Sequence, residues 1–442
     1  MPDLTRELDA EQLRDWLSQQ RWYASKTREL TGIDIFEQAE LESGLVLALA
    51  QAWFATGTHD LYQLPIAFAD GEVVFDALPE PPHARALLAQ IQSGEDLPTA
   101  EGRFNFRNPG TMPLTVAPDV HPVGKEQTNS SIVFGNQVVV KVFRKFEPGI
   151  NPELEMLRFL TARAYPNIAP LEGWYEYEGP ELSATLGVAQ EFVPDAIDGW
   201  TLALDGIPTN PGRFLDRIAE LGATTAELHN VLATDPDDPA FSPEEPSVEA
   251  ISLLRATIDE EIEQIFLRLP EDDERLAPIV GRGQQVRERL ATRSQIGTGG
   301  KQIRIHGDFH LGQTMDSPHG WVILDFEGEP ARPLPERRRK RSPLRDVASM
   351  LRSFAYATSA VSLQRGLPVP PEFEQRAREH FLERYFEEIE RALLPPGEAA
   401  ITSLLGIYEL EKAIYELRYE LDNRPDWVQI PVAGIVRLLE ET

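Results

Sequence analysis

Residues 303–315 read IRIHGDFHLGQTM, and residues 321–330 read WVILDFEGEP. The first stretch crowds His306, Asp308 and His310 into one short loop. The second places Asp325, Glu327 and Glu329 just after an apolar run. Three chemistries suit such a cluster: direct metal ligation, positioning of a magnesium nucleotide, or simple turn capping. The rest of the chain has to decide among them.

Spacing favours the second. Gln313 follows Asp308 by five residues, and Asp325 follows it by 17. An Asp, an amide in the same loop and a second Asp directly after a strand is the layout of protein-kinase phosphoryl transfer. There the first Asp orients the attacking hydroxyl, and the amide and second Asp hold magnesium through hard oxygen donors. Upstream, Lys141 sits in VVVKVF among apolar neighbours, so its ammonium needs an anionic partner. Glu155 in the following NPELEMLRFL segment is the expected partner, with Glu153 on a different side of that helix. No G-x-G-x-x-G precedes the lysine. The stretch GKEQTNSSIVFG instead offers Ser130 and Ser131, with Thr128 and Asn129, as phosphate contacts, or makes an ordinary polar turn.

Composition narrows the field. The chain has 442 residues, more than one hydrophobic core accommodates, so two or three domains are expected. Its 72 acidic and 42 basic residues give a net charge of −30, which disfavours nucleic acid and anionic membrane as partners. The absence of cysteine excludes disulfides, thiol catalysis and thiolate metal sites. No basic-then-apolar leader opens the sequence and no run of about 20 apolar residues occurs, so a cytoplasmic protein is expected.

Element patterns give an α+β reading. Residues 8–20 have helical apolar spacing, and GIDIF, LVLALAQAWFA, LYQLPIAFA and EVVFDAL read as antiparallel strands. LPEPPH (78–83) breaks this run before a helix, ARALLAQIQSG. SIVFGNQVVVKVFRKF (131–146) is a hairpin turning at Gly135-Asn136. Asn151-Pro152 then opens a helix, and residues 183–200 read as a strand running out into a loop. From about 201 the pattern is helical, interrupted by 302–330. The basic run ERRRKR (336–341) reads as a solvated loop. In the C-terminal stretch 402–422, Leu410, Ile414, Leu417 and Leu421 form an apolar stripe. Lys412, Tyr415, Glu416 and Tyr419 share another face suited to a sugar.

HGDFHLGQ, DFEGEPARPL-x-ERR, SPLRDVASMLRSFAYA, QEFVPDAIDGW and LEKAIYELRYE followed by NRPDWVQIP resemble the actinobacterial maltokinases, relatives of the aminoglycoside phosphotransferases in the protein-kinase-like superfamily. RWYASK (21–26) resembles the start of that family's N-terminal cap. The resemblance implies a bilobal kinase-like fold. It comprises a cap subdomain over 1–94, a β-rich nucleotide-binding subdomain with hinge over 95–200, and a helical C-terminal lobe over 201–442. It implies transfer from MgATP to the anomeric hydroxyl of maltose, giving maltose 1-phosphate, with a functional link to trehalose synthase and α-glucan (glycogen) synthesis.

Carried over residue by residue, Asp308 is the catalytic base, and Gln313 and Asp325 are the magnesium ligands. Lys141 with Glu155 serves the nucleotide phosphates, and the hinge Gln190–Val193, including Glu191, holds adenine. Asp198, Trp200 and His310 join Lys412, Tyr415, Glu416 and Tyr419 around the sugar, with His310 equally suited to loop support. Three alternatives stand: the same chemistry on glucosamine or an aminoglycoside, an ATP-binding pseudokinase, and a direct metal site. The last leaves Lys141 and Gln313 unexplained.

Overall fold

The computed structural model describes residues 8–69, 72–110, 119–123, 128–247, 249–295 and 299–440. The chain forms two compact units: Met1–Ala162 with Ile168–Pro194, and Arg163–Asn167 with Asp195–Thr442.

The first unit is built on two antiparallel sheets. Strands Leu30–Glu40, Leu45–Phe54 and His59–Ala69 pair in sequence, and both Glu72–Val74 and Lys145–Phe146 pair with the third. The central strand LVLALAQAWF is almost wholly buried because both its faces are covered. Leu45, Leu47 and Leu49 join Leu87, Phe104 and Phe106 in one core. Ala48, Ala50 and Ala52 join Leu13, Leu17 and Trp22 in another. The alternation of period two thus divides one strand between two cores. Leu13 and Leu17 come from helix Ala10–Gln19, capped by Asp9.

The second sheet runs Leu97–Pro98, Arg103–Arg107, Leu171–Glu178, Ser183–Glu191, Val138–Phe143, Asn129–Phe134 and Val120–Pro122. Its hairpin turns at Gly135 and Asn136 with φ of 56° and 52°, the positive pair that matches strand twist. The prolines of LPEPPH end the strand run and also begin helix Pro81–Ser93, with proline in the first helical turn and Gly94 closing the helix at φ 65°.

The stretches 1–94 and 95–200, expected as separate subdomains, share one packing. The core that holds Leu47 and Leu87 also holds Val138, Tyr175 and Leu186. A buried polar link reinforces it. Fully buried Arg144 donates to both oxygens of Asp76 at 2.9 and 3.0 Å and to Ser130 Oγ at 2.8 Å. Gln63 receives the Tyr175 hydroxyl at 2.8 Å and donates to Leu186 O at 2.9 Å.

The second unit is helical around a small sheet of Ile197–Asp198, Thr314–Ser317 and Gly320–Ile323. Several of its helices escaped the sequence reading, Gln429–Glu440 among them. Gly199–Thr209 carries two glycines and a proline, yet Asp198 caps it by accepting from Thr201 N at 2.9 Å. Gly283–Arg293 is mostly polar. Helix Pro211–Leu232 lies against helix Phe373–Glu388, where a Cβ on Gly222 would meet Phe381 O at 2.3 Å, so only glycine fits.

The longest helix, Glu398–Asn423, buries acids as well as its leucines. Glu409 receives both Arg378 nitrogens at 2.9 and 2.8 Å, and also Arg437. Glu420 accepts from the Tyr356 hydroxyl at 3.0 Å. Among the described residues, no helix is long and apolar enough to cross a membrane.

Burial alone would raise the Glu409 carboxyl, but Arg378 and Arg437 bring it down from 4.5 to about 2. Its folded value lies below its unfolded one. The stabilisation is therefore present above pH 4.5 and lost as pH falls toward 2. It amounts to on the order of 3 kcal/mol. Urea unfolding should show E409Q less stable than wild type at pH 7, with the gap closing as pH falls through that window.

Candidate active site

The HGDFHLGQ loop hangs from one buried carboxylate. Asp346, in the first turn of helix Leu344–Leu363, accepts from His306 N at 2.7 Å and Gly307 N at 2.9 Å. His229 Nε2 lies 3.3 Å from the same carboxylate, and Tyr385 OH lies 3.0 Å from His229 Nδ1. Burial pushes the Asp346 carboxyl up, but His229, His306 and the Gly307 amide hold it below its ordinary value. It is an anion fixed by donors rather than by water.

His306 is buried between Phe309 and Phe326, with ring centroids 5.3 and 5.1 Å away. Its Nε2 lies 2.8 Å from Leu324 O, which assigns the proton to Nε2 and leaves Nδ1 to accept from Asp308 N at 3.4 Å. The histidine thus joins the two quoted stretches. Leu324 N donates to Gln313 O at 3.0 Å, and Gln313 Nε2 donates to Asp325 Oδ2 at 3.1 Å. Asp325 has φ 62°, a left-handed conformation that Asp tolerates and that neighbours must impose. These bonds impose it.

Asp308 is partly exposed. Lys412 Nζ lies 3.7 Å from its Oδ1, and His310 Nε2 lies 3.9 Å from its Oδ2. His310 Nδ1 accepts from Gly312 N at 3.1 Å, so this histidine braces the turn. Asp325 and Glu327 offer carboxylate oxygens within 4.8 Å of each other. Gln313 and Asp325, expected as magnesium ligands, thus lie side by side, and such oxygen donors suit a hard cation.

In the first unit, Lys141 Nζ lies 2.7 Å from Glu153 Oε2. Glu153 is buried and Lys141 is nearly so. The sequence reading expected Glu155 in this role, and Glu153 is a partner of Lys141. Asn151 Oδ1 caps the helix by accepting from Glu153 N at 2.8 Å, which turns the Glu153 side of the first turn toward the lysine strand.

Ser131 pairs directly across from Lys141 and shares its face of the sheet. The Ser130 hydroxyl accepts from Arg144 instead. Residues 124–127 of the GKEQTNSS turn lie outside the described residues. At the hinge, Glu191 N and Phe192 N donate to Pro170 O at 3.0 Å and Gln137 O at 2.8 Å, and Gln190 Nε2 donates to Ala169 O at 3.2 Å.

A cavity of about 230 Å³ opens beside the loop, lined by Gly307 and by Tyr408, Glu411, Lys412, Tyr415 and Arg418 of the longest helix. Glu261, Glu329, Arg332 and Arg345 close it. Burial, with Glu329 and Asp308 nearby, pushes the Tyr415 phenol up to about 12, so it is a donor at neutral pH.

The sequence reading found Lys412 and Tyr415 but continued along the wrong register. Glu416 is buried against Arg352, whose nitrogens lie 2.7 and 2.9 Å from its Oε2, so it faces helix Leu344–Leu363 and not the cavity. Tyr419 is exposed and lies under Arg424. Asp198 caps its helix, and neither it nor Trp200 lines the cavity. Tyr408 and Glu411, which the reading missed, join Lys412, Tyr415 and Arg418 at a three-and-four spacing that the sequence displays.

Removing the Asp346 side chain orphans two amides and a buried histidine. D346A should lose roughly 3 kcal/mol of stability. Amide hydrogen exchange should accelerate first at residues 306–313; an effect spread evenly over the unit would contradict the anchoring role.

Known proteins share this architecture. A family model for the maltokinase N-terminal cap domain matches residues 16–97. The chain is 27% identical over 347 residues to a glucosamine kinase of Mycolicibacterium smegmatis, covering 72% of this chain and 79% of that protein. A solved glucosamine kinase superposes with a TM-score of 0.74 at 19% identity, covering 97% of this chain and 99% of the other. A second, in complex with glucosamine, ADP and inorganic phosphate, gives 0.71 at 19% identity over 96% and 99%. Residues 16–97 thus match the maltokinase N-terminal cap domain, and the chain has the fold of the solved glucosamine kinases.

Proposed function

We propose that the protein is an ATP-dependent sugar phosphotransferase whose acceptor is maltose, phosphorylated at its anomeric hydroxyl. The coarser part, a sugar kinase-like phosphotransferase, is supported by the kinase relatives and the kinase fold. The observation that carries the reading is the Gln313–Asp325 bond, tied to the Asp308 loop through His306 and Leu324 in one unit, and the Lys141–Glu153 pair in the other. These are the parts that phosphoryl transfer needs, in kinase order.

Each residue has a definable task. Asp308, flanked by Lys412 and His310, accepts the proton of the acceptor hydroxyl and aims its oxygen at phosphorus. Lys141, oriented by Glu153, holds nucleotide phosphate oxygens and offsets their charge. Magnesium, when bound through Gln313 and Asp325, supplies Lewis-acid stabilisation of the transferring group. Adenine at 190–193 would use carbonyls and the Val193 amide, because Glu191 N and Phe192 N are already engaged. Tyr415 and the charged lining of the 230 Å³ cavity supply donors and acceptors for sugar hydroxyls. The reading makes the enzyme cytoplasmic, where ATP is available. Its product would feed α-glucan synthesis beside a trehalose synthase.

Maltose rests on the cap family and on the sequence resemblance. Glucosamine is the second reading, favoured by the named relatives and by the carboxylates Glu261, Glu329 and Glu411 in the cavity wall, which suit an ammonium group. Turnover of maltose, glucosamine and kanamycin by purified protein with MgATP should separate them. Maltose is expected to give the highest kcat/KM. Preferential turnover of glucosamine would transfer the assignment, and turnover of none would end it. D308N should lose about 10²–10⁴-fold in kcat while retaining nucleotide binding.

The lysine partner Glu153 makes its own prediction. E153Q should raise the nucleotide KM by about tenfold, in line with the loss of a charged hydrogen bond. E155Q should change it far less. Equal effects in steady-state kinetics would return the role to Glu155.

A further inference from the structure

The run ERRRKR has no part in the function proposed above, yet it does not form a solvated loop. Arg332, Arg337, Arg339, Arg341 and Arg345 converge on a small cavity of about 30 Å³, floored by Ile305, Gly307 and Gly328. That volume suits one small group and not a sugar ring. In a chain of net charge −30, five guanidinium groups around one hollow is a costly arrangement.

Part of the charge is compensated. Glu329 and Glu336 both pair with Arg332, at 2.6 and 3.4 Å, and Glu411 pairs with Arg345 at 2.8 Å. Arg337 Nη1 donates to Glu327 O at 3.3 Å. These partners leave Arg339 and Arg341 over: neither guanidinium meets a carboxylate among the described residues. The backbone of Arg341 is fixed by reciprocal bonds to Ile303, 2.8 and 2.9 Å long, so the side chain is held at the hollow from a rigid base. Burial, then the like charges of Arg345, Arg339 and Arg332, hold the Arg341 guanidinium below its ordinary value. Glu329 and Glu336 also line the hollow and Glu411 acts on Arg341, but five guanidinium groups against three carboxylates leave an excess of positive charge around this half-buried arginine that suits a bound anion.

We propose that Arg339, Arg341 and Arg345, with Arg332 and Arg337, form an oxyanion subsite for a phosphate group. Planar guanidinium forks match phosphate oxygens in pairs, and several of them outweigh the cost of desolvating one dianion. The subsite shares Gly307, Glu329, Arg332 and Arg345 with the 230 Å³ cavity next to Asp308. A phosphate held there is either free or carried on a sugar whose ring lies in the larger cavity. That second source rests on the proposed acceptor site; the subsite itself does not.

Isothermal titration of inorganic phosphate into the full chain, without nucleotide or magnesium and at low ionic strength, tests the assignment. Saturable binding at one site is expected, with no heat from equivalent chloride. R341Q and R339Q should each weaken it by about tenfold. K141Q should leave it unchanged. Arg339 is exposed, so R339Q guards against a folding defect in R341Q. Absence of binding, or binding lost in K141Q and unchanged in both arginine variants, would overturn the subsite. Competition distinguishes the sources. Glucose 6-phosphate displacing phosphate more strongly than phosphate and glucose act separately supports the sugar-borne group, and equal displacement supports free phosphate.

Discussion

Asp346 accepts hydrogen bonds from two consecutive amides, His306 and Gly307, while His229 supports its charge from behind. Everything at the Asp308 loop depends on that geometry. The amides fix the backbone that carries His306. His306 in turn fixes Leu324, and through it Gln313 and Asp325. The anchor is costly to build, because a buried carboxylate needs every lone pair met. Once built, it transmits position without side-chain entropy at the exposed residues. Asp308 therefore stays partly open to solvent and yet well placed, the condition under which a carboxylate can orient an incoming hydroxyl.

The charge distribution follows a similar logic. An excess of 30 acids is tolerable because the basic residues are spent where burial makes them count. Arg378 and Arg437 stabilise Glu409, and Arg352 stabilises Glu416, so the longest helix is clamped on sides that a purely apolar stripe would leave loose. Such pairs contribute little net energy over a hydrophobic contact, but they specify register. Register matters here. A one-residue rotation of this helix would take Lys412 and Tyr415 off the cavity wall.

Much of this was legible in the sequence, and the parts that were not share a cause. Strand alternation in LVLALAQAWF, the Gly135-Asn136 turn and the Asn151 cap are local signals, and the structure follows them. The spacing of Asp308, Gln313 and Asp325 is also local, and with Lys141 far upstream their order pointed to the kinase-like fold. Glu153 was missed because choosing between two acids on one helix turn depends on how the cap orients that turn. Glu416 was misassigned because its partner, Arg352, lies 64 residues away. Trp200 and Asp198 were drawn into the sugar site by resemblance, while helix Gly199–Thr209, rich in glycine, gave no periodicity to show that Asp198 was a cap.

The cap raises a different question, since one core runs across the boundary expected near residue 94. Leu87, Leu88 and Ile91 fill the same core as Phe104, Val140 and Tyr175, and strand Lys145–Phe146 pairs into the cap sheet. Arg144, one residue earlier, ties Asp76 of the cap to Ser130 in the strand opposite Lys141's. Lys141 and Arg144 are three residues apart and serve different partners, but they belong to one segment whose position both fix. A cap that merely decorated the second sheet would need no buried arginine to reach it. One that shares the core sets the strand carrying Lys141, and so any change in cap packing reaches the Lys141–Glu153 pair through rigid, close-packed residues.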